Sequence, residues 1–156
     1  MDIEGKIGII TGAASGIGRA AAIELQKHKI GAIALVDLSD GIVELAKELN
    51  RMRGNTIAIP FQGDATDHDF RKHVFNHMRE NYGAVNICVP AAGITRDALA
   101  VKLNKEKGTA NIYPIENFRQ VVEVNLIAPT YWALEMVAQL AESRFSKGLK
   151  KWTPNE

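Results

Sequence analysis

The sequence predicts a doubly wound α/β fold, in which helices cover both faces of a parallel sheet. Three observations carry this expectation. Short runs are apolar throughout rather than alternating, longer stretches repeat apolar residues three and four apart, and the two kinds take turns along the chain.

Taken in order, residues 6–10 read as a first buried strand, and 19–29 as a helix with Ala20 and Ile23 on its apolar side. Residues 32–36 form a second continuous apolar run, too short for a helix and rich in branched side chains. The stretch 41–53 places Ile42, Leu45, Ala46 and Leu49 at helical spacing. Residues 56–61 are a third strand. A third helix, 67–82, carries Phe70, Val74, Phe75 and Met78 on one face, and 85–89 is a fourth strand. Gly83-Ala84 and the stretches 50–55 and 92–97 read as loops. No repeat or low-complexity linker interrupts the pattern, so the expectation is one domain, or part of one.

At 156 residues, 46% hydrophobic and 24% charged, the chain suits a single soluble domain with a true core. A formal net charge of +1 predicts no nucleic-acid partner. The basic cluster at 147–151 reads as a solvated tail. No basic segment followed by an apolar stretch opens the chain, and no apolar run approaches the roughly 20 residues of a membrane helix. One cysteine, Cys88, makes an intrachain disulfide impossible, and a cytoplasmic location is the expectation. Cys88 sits in an apolar strand and reads as a buried, inert thiol. His73 and His77 lie one helical turn apart without an acidic neighbour to complete a metal set, and His68 falls near a helix cap, so no metal is expected.

The chemistry is concentrated after the first strand. Gly12, Gly16 and Gly18 stand where a strand stops and a helix begins. Glycine is needed there if the backbone takes positive φ or if a ligand approaches closely. Such a turn leaves amides at the positive end of the helix dipole, a site for an anion such as a pyrophosphate. Ser15 can add a hydroxyl, and Thr11 can tie the turn to neighbouring backbone. The spacing, Gly-x-x-x-Gly-x-Gly, departs from the usual dinucleotide fingerprint, and a plain tight turn is the alternative.

Asp37 ends the second strand, where an acidic residue can accept from both hydroxyls of an adenosine ribose. Its charge also opposes a 2′-phosphate, and neither Ser15 nor Leu38 supplies a cation, which favours NAD over NADP. Asp37 can instead cap the next turn through Ser39 and Asp40. Asp64, shortly after the third strand, can accept from an adenine amino group, or it can serve as a cap; for Asp67 the cap is the preferred reading.

Together these residues resemble the short-chain dehydrogenases/reductases. Thr11-Gly12-Ala13-Ala14-Ser15-Gly16-Ile17-Gly18 matches that family's Thr-Gly-x-x-x-Gly-x-Gly signature, and Asp37, Asp64-Ala65, Ala92-Gly93 and Asn125 follow in its order. The resemblance spans most of the chain. It implies a Rossmann-type, three-layer αβα domain over residues 1–156, incomplete at its C-terminal end. It further implies hydride transfer between NAD(H) and a small carbonyl compound or secondary alcohol. The cofactor-binding set implied is Gly12, Ser15, Gly16, Ile17, Gly18, Asp37, Leu38, Asp64, Ala65, Ala92 and Gly93.

Of the family's catalytic asparagine, serine, tyrosine and lysine, Asn125 matches the first. The lysine should stand four residues after the tyrosine, but Tyr82, Tyr113 and Tyr131 are followed at that distance by Asn86, Asn117 and Glu135. The missing groups are expected in a continuation past Glu156, and this chain alone is expected to be inactive. A non-catalytic dinucleotide-binding or scaffolding protein is the alternative. Where the family has Asn-Asn-Ala-Gly after its fourth strand, this chain has Pro90-Ala91-Ala92-Gly93, which loses two amides that steady the loop.

Residues 116–144 read as one long helix with apolar residues on more than one face. One face is expected against the sheet and the other against a partner, and the resemblance implies a homodimer or homotetramer. Pro129 inside it cannot donate to the Asn125 carbonyl. That carbonyl then needs another donor, most simply a water, as in the family's proton relay, although an ordinary proline kink also fits. Residues 93–97 resemble the corresponding loop of 3-oxoacyl reductases, and 102–115 is a polar stretch with no assigned role.

Overall fold

The computed structural model describes residues 2–52 and 55–149. Its main sheet has four parallel strands in the order β3-β2-β1-β4: β1 (Ile7–Thr11), β2 (Ala32–Asp37), β3 (Ile57–Gln62) and β4 (Ile87–Pro90). The helices between them are α1 (Gly16–Lys27), α2 (Gly41–Arg51) and α3 (His68–Tyr82). The expected doubly wound arrangement is present, with each strand shifted by one or two residues from its expected bounds. The end of the helix expected at 41–53 and the end of the 147–151 cluster lie outside the described residues.

The apolar strands do not alternate because both of their faces are covered. In β2, Ala32, Ala34 and Val36 join one core cluster, while Ile33 and Leu35 join the other. The first cluster is closed by Val74, Phe75 and Met78 of α3 together with Ala128 and Trp132 from the last helix. The second is closed by Ala22 of α1 and by Ile42, Leu45, Ala46 and Leu49 of α2. Full burial of side chains such as Ile33 and Leu35 stabilises by about 1.5–3 kcal/mol each. These are three layers, α on β on α.

Several local expectations are corrected. Helix α1 begins at Gly16 rather than Arg19, so the second and third glycines lie in its first turn. Asn50, read as loop, belongs to α2, and its carboxamide brackets Ala58: it accepts from the Ala58 N–H at 2.7 Å and donates to the Ala58 carbonyl at 3.0 Å. Most of an antiparallel hairpin falls in the stretch 102–115: β5 (Val101–Asn104) pairs with β6 (Thr109–Ile112). Its turn is built by Asn104, which accepts from the N–H groups of Glu106 and Lys107, and by Gly108 at φ +63.

The long helix is also not uniform. It consists of α4 (Ile115–Val122), a π-helical turn over Glu123–Ile127, and α5 (Ala128–Ser146). Pro129 stands at the start of α5 and has no N–H to give, and just before it Ala128 donates five residues back to Glu123. The proline's local effect is therefore a widened turn, and Asn125 sits within it.

Candidate functional site

Strands β2 and β3 lie to one side of β1 and β4 to the other, so the chain reverses its direction of winding beside β1. In open α/β sheets the crevice beyond the strands' carboxyl ends at such a reversal is where ligands bind. A cleft of about 610 Å³ lies there. It is lined by residues that follow each strand: Gly12 after β1, Leu38 after β2, Gly63 and Asp64 after β3, and Ala91 to Gly93 after β4.

The glycine turn forms its floor. Gly12 has φ +66, and a Cβ there would stand 2.7 Å from the Ala91 carbonyl oxygen. A Cβ on Gly18 would meet the Gly12 carbonyl oxygen at 2.2 Å, so this glycine serves the packing of α1 against β1. Gly16 differs: it has φ +51, but open space surrounds its Cβ position. The first helical amide with an acceptor is that of Arg19, bonded to the Ser15 carbonyl at 3.1 Å. Among the described residues, the N–H groups of Gly16, Ile17 and Gly18 are without acceptors, as expected at a helix start. Ser15 occupies the N-cap position but makes no capping bond with its hydroxyl. Thr11 does tie the turn down, accepting from the Ala92 N–H at 3.2 Å.

Two carboxylates stand along one side. Asp37 accepts from the Ala14 N–H at 3.0 Å and from the Ser39 N–H at 2.9 Å. It thus binds the glycine turn to the end of β2 as well as capping the next turn. Asp64 accepts from both the N–H and the hydroxyl of Thr66, each at 2.8 Å. Asp67 is the α3 cap, accepting from the Phe70 N–H. Ile17 and Leu38 are 80% and 68% exposed and line the cleft.

Of the residues singled out from the sequence, Gly12, Ser15, Gly16, Ile17, Asp37, Leu38, Asp64, Ala65, Ala92 and Gly93 all line this cleft. Gly18 lies beneath it. Asn125 lines an adjoining cavity of about 560 Å³ instead. There its carboxamide grips one residue of the loop after β4 by the two peptides that flank it, accepting from the Ile94 N–H at 2.9 Å and donating to the Ile94 carbonyl at 2.8 Å. These two bonds tie the loop after β4 to the last helical run. Arg96, Gln120 and Val124 also line the cleft, and nothing in their local spacing marks them. Arg96 is oriented by Gln120, whose Oε1 accepts from its Nε at 3.1 Å.

The other candidates behave as structural residues. Burial pushes the Cys88 thiol up to about 12. His73 and His77 meet the ring of Phe61 edge-on, and no group of three metal-ligating side chains occurs among the described residues. No helix among the described residues is long and apolar enough to cross a membrane.

The sequence matches the family model for short chain dehydrogenase over residues 6–148. It is 35% identical over 126 residues to a 3-oxoacyl-[acyl-carrier-protein] reductase of Thermotoga maritima, covering 78% of this chain and 50% of the relative. It is 33% identical over 137 residues to 3-hydroxyacyl-CoA dehydrogenase type-2 of Rattus norvegicus, covering 87% of this chain and 48% of the relative. The chain thus spans about half the length of the curated relatives it matches. Among solved structures, a short-chain type dehydrogenase/reductase from Mycobacterium marinum superposes with TM-score 0.71 at 24% identity, over 90% of this chain and 52% of that one. A structure from Haemophilus influenza, described as a D-mannonate oxidoreductase with bound NAD, gives TM-score 0.70 at 25% identity, over 86% of this chain and 51% of that one. With its parallel sheet, its Gly-x-x-x-Gly-x-Gly turn and this family match, the chain belongs to the short-chain dehydrogenases/reductases.

Proposed function

We propose that this chain carries the cofactor-binding part of an NAD-dependent oxidoreductase that acts on a small carbonyl compound or secondary alcohol. The observation that carries the reading is the meeting of the open amides of Gly16 and Ile17, at the start of α1, with Asp37 and Asp64 in one cleft. The residues present fit a dinucleotide along its length. The amides of Gly16, Ile17 and Gly18 and the Ser15 hydroxyl hold the pyrophosphate. Asp37 retains accepting capacity on both oxygens for the adenosine ribose. Asp64 and Ala65 edge the adenine between Ile17 and Leu38, and Ala92 and Gly93 admit the nicotinamide end.

Charge supports NAD over NADP. Arg19, the nearest cation in sequence to the glycine turn, is held by Glu48 at 2.7 Å and does not line the cleft. Arg96, the cation that does line the cleft, is engaged by the Gln120 side chain and the Thr95 carbonyl. A 2′-phosphate therefore meets the Asp37 carboxylate without a compensating partner.

When bound, the cofactor supplies or accepts the hydride. This chain's contribution is to bind and orient it, with Asn125 holding the Ile94 loop and its own carbonyl left without the usual helical donor by Pro129. Because no tyrosine here precedes a lysine by four residues, we read the 156 residues alone as inactive. The same lack favours, as a second reading, a dinucleotide-binding protein without turnover. The enzyme reading extends to a cytoplasmic homodimer or homotetramer; the single cysteine and the half-exposed Tyr131, Leu134 and Val137 on α5 support it.

Calorimetric titration with NAD(H) and NADP(H) tests the assignment. NAD(H) should bind more tightly, and Asp37→Ala should weaken it about five- to tenfold while narrowing the gap. Equal affinities in the unmodified chain would remove Asp37 from the ribose. No binding of either cofactor would overturn the reading as a whole.

A further inference from the structure

Trp132 of α5 is fully buried, yet its indole N–H reaches out of the core to the Ala65 carbonyl, which accepts at 2.8 Å. The two residues are 67 positions apart. The ring leans on Phe75, with centroids 5.6 Å apart, so its direction is fixed by packing from behind. A buried indole is a donor with one bond to give, and here it gives that bond to the half-buried edge of the candidate cleft.

Among the described residues, the other bonds of Asp64 stay within the turn and the start of α3, and Gly63, just before it, donates to the Asp37 carbonyl at 2.9 Å. The Asp64 Oδ1 is occupied by Thr66, and the Asp64 carbonyl accepts from the Asp67 N–H at 3.1 Å. Among the described residues, the indole bond is the one side-chain hydrogen bond that anchors this turn to the last helical run, whose Val124 also lines the cleft. The Ala65 N–H has no acceptor among the described residues, and Asp64 keeps Oδ2 unpaired.

We infer that Trp132 is a positioning residue for cofactor recognition: through the Ala65 carbonyl it sets where the Asp64–Ala65 turn presents its free donor and acceptor to an adenine ring. The inference rests on the dinucleotide reading above. It makes a helix that follows the fourth strand responsible for the binding geometry of a loop that follows the third. It also separates the two ends of the cleft, since the Ala92–Gly93 end is bonded to Thr11 and does not depend on the indole.

The test compares AMP, NAD and nicotinamide mononucleotide on the unmodified protein and on Trp132→Phe. The phenyl ring keeps an aromatic contact with Phe75 but has no donor. Thermal unfolding is followed in parallel. The folded variant should bind AMP and NAD up to about tenfold more weakly, the limit in which the whole energy of that hydrogen bond goes into presenting the turn, with nicotinamide mononucleotide unchanged. A folded variant with unchanged AMP affinity would overturn the inference, as would an equal loss for both mononucleotides, which is the mark of a merely structural role. A second readout uses the unmodified side chain: the Trp132 indole ¹⁵N–¹H resonance, assigned with Trp152→Phe, should shift on adding AMP and stay in place on adding nicotinamide mononucleotide. An indole signal indifferent to AMP would overturn the inference even if Trp132→Phe does not fold. Unmodified protein that binds no AMP, or binds NAD only through its nicotinamide half, would overturn the adenine assignment itself, a failure distinguishable from that of Trp132.

Discussion

The three glycines after β1 do two different jobs. Gly12 and Gly18 are required by neighbouring backbone, at 2.7 and 2.2 Å from their Cβ positions, whereas Gly16 faces open space in the cleft. Gly16→Val should therefore abolish dinucleotide binding by filling the floor of the cradle, at an added cost in backbone strain from its φ of +51. Titration with circular dichroism alongside checks this, and a folded variant with unchanged NAD affinity would refute the phosphate assignment. Cys88 gives a second expectation at this scale. With its thiol pushed up to about 12 by partial burial, thiolate is scarce at pH 8, so reaction with an aromatic disulfide reagent should be slow in the native chain and speed up on unfolding. Rapid stoichiometric labelling of the native chain would contradict the burial.

At the scale of elements, the last helix links the site to the sheet. Its π turn holds Asn125, which brackets Ile94, and α5 then closes the core with Trp132. Its packing against α3 includes a buried charge pair. The Arg71 side chain is 5% exposed and lies 3.8 Å from Glu135, itself 18% exposed, while the Tyr131 ring covers the guanidinium at 5.3 Å. Removing one partner leaves the other charged and poorly solvated. Glu135→Ala should cost about 3 kcal/mol of stability, and Arg71→Met, which leaves no buried cation, should cost less. Urea denaturation of both variants measures the difference, and equal losses would show that packing rather than charge holds the helices together.

For the whole molecule, the surface left open is apolar. Strand β4 is an edge of the sheet, with Ile87, Cys88 and Val89 half-buried, and Leu126, Leu134, Val137 and Phe145 are exposed along the last helical run. Surface of this kind is seldom left in water. The 156-residue chain alone should self-associate and should show no dehydrogenase turnover, since no Tyr-x-x-x-Lys is present to move the proton. Light scattering with a screen of alcohols and ketones examines both points together. A monodisperse monomer that turns over NAD would contradict them.

The sequence by itself determined the alternation of strands and helices, the glycine turn, and the acidic residues at the strand ends, because each of these rests on spacing within a few residues. The hairpin was not legible in the sequence: four residues of alternation, Val101-Lys102-Leu103-Asn104, are a weak signal beside a charged turn that resembles any solvated loop. Tertiary structure alone decided that Asp37 joins the glycine turn, that Asn125 grips Ile94, that Arg96 and Gln120 reach the cleft, and that Trp132 holds Ala65. Each of those contacts joins elements well apart along the chain. They depend on how the helices dock on the sheet, and docking is set by the summed packing of both core clusters rather than by any local pattern of residues.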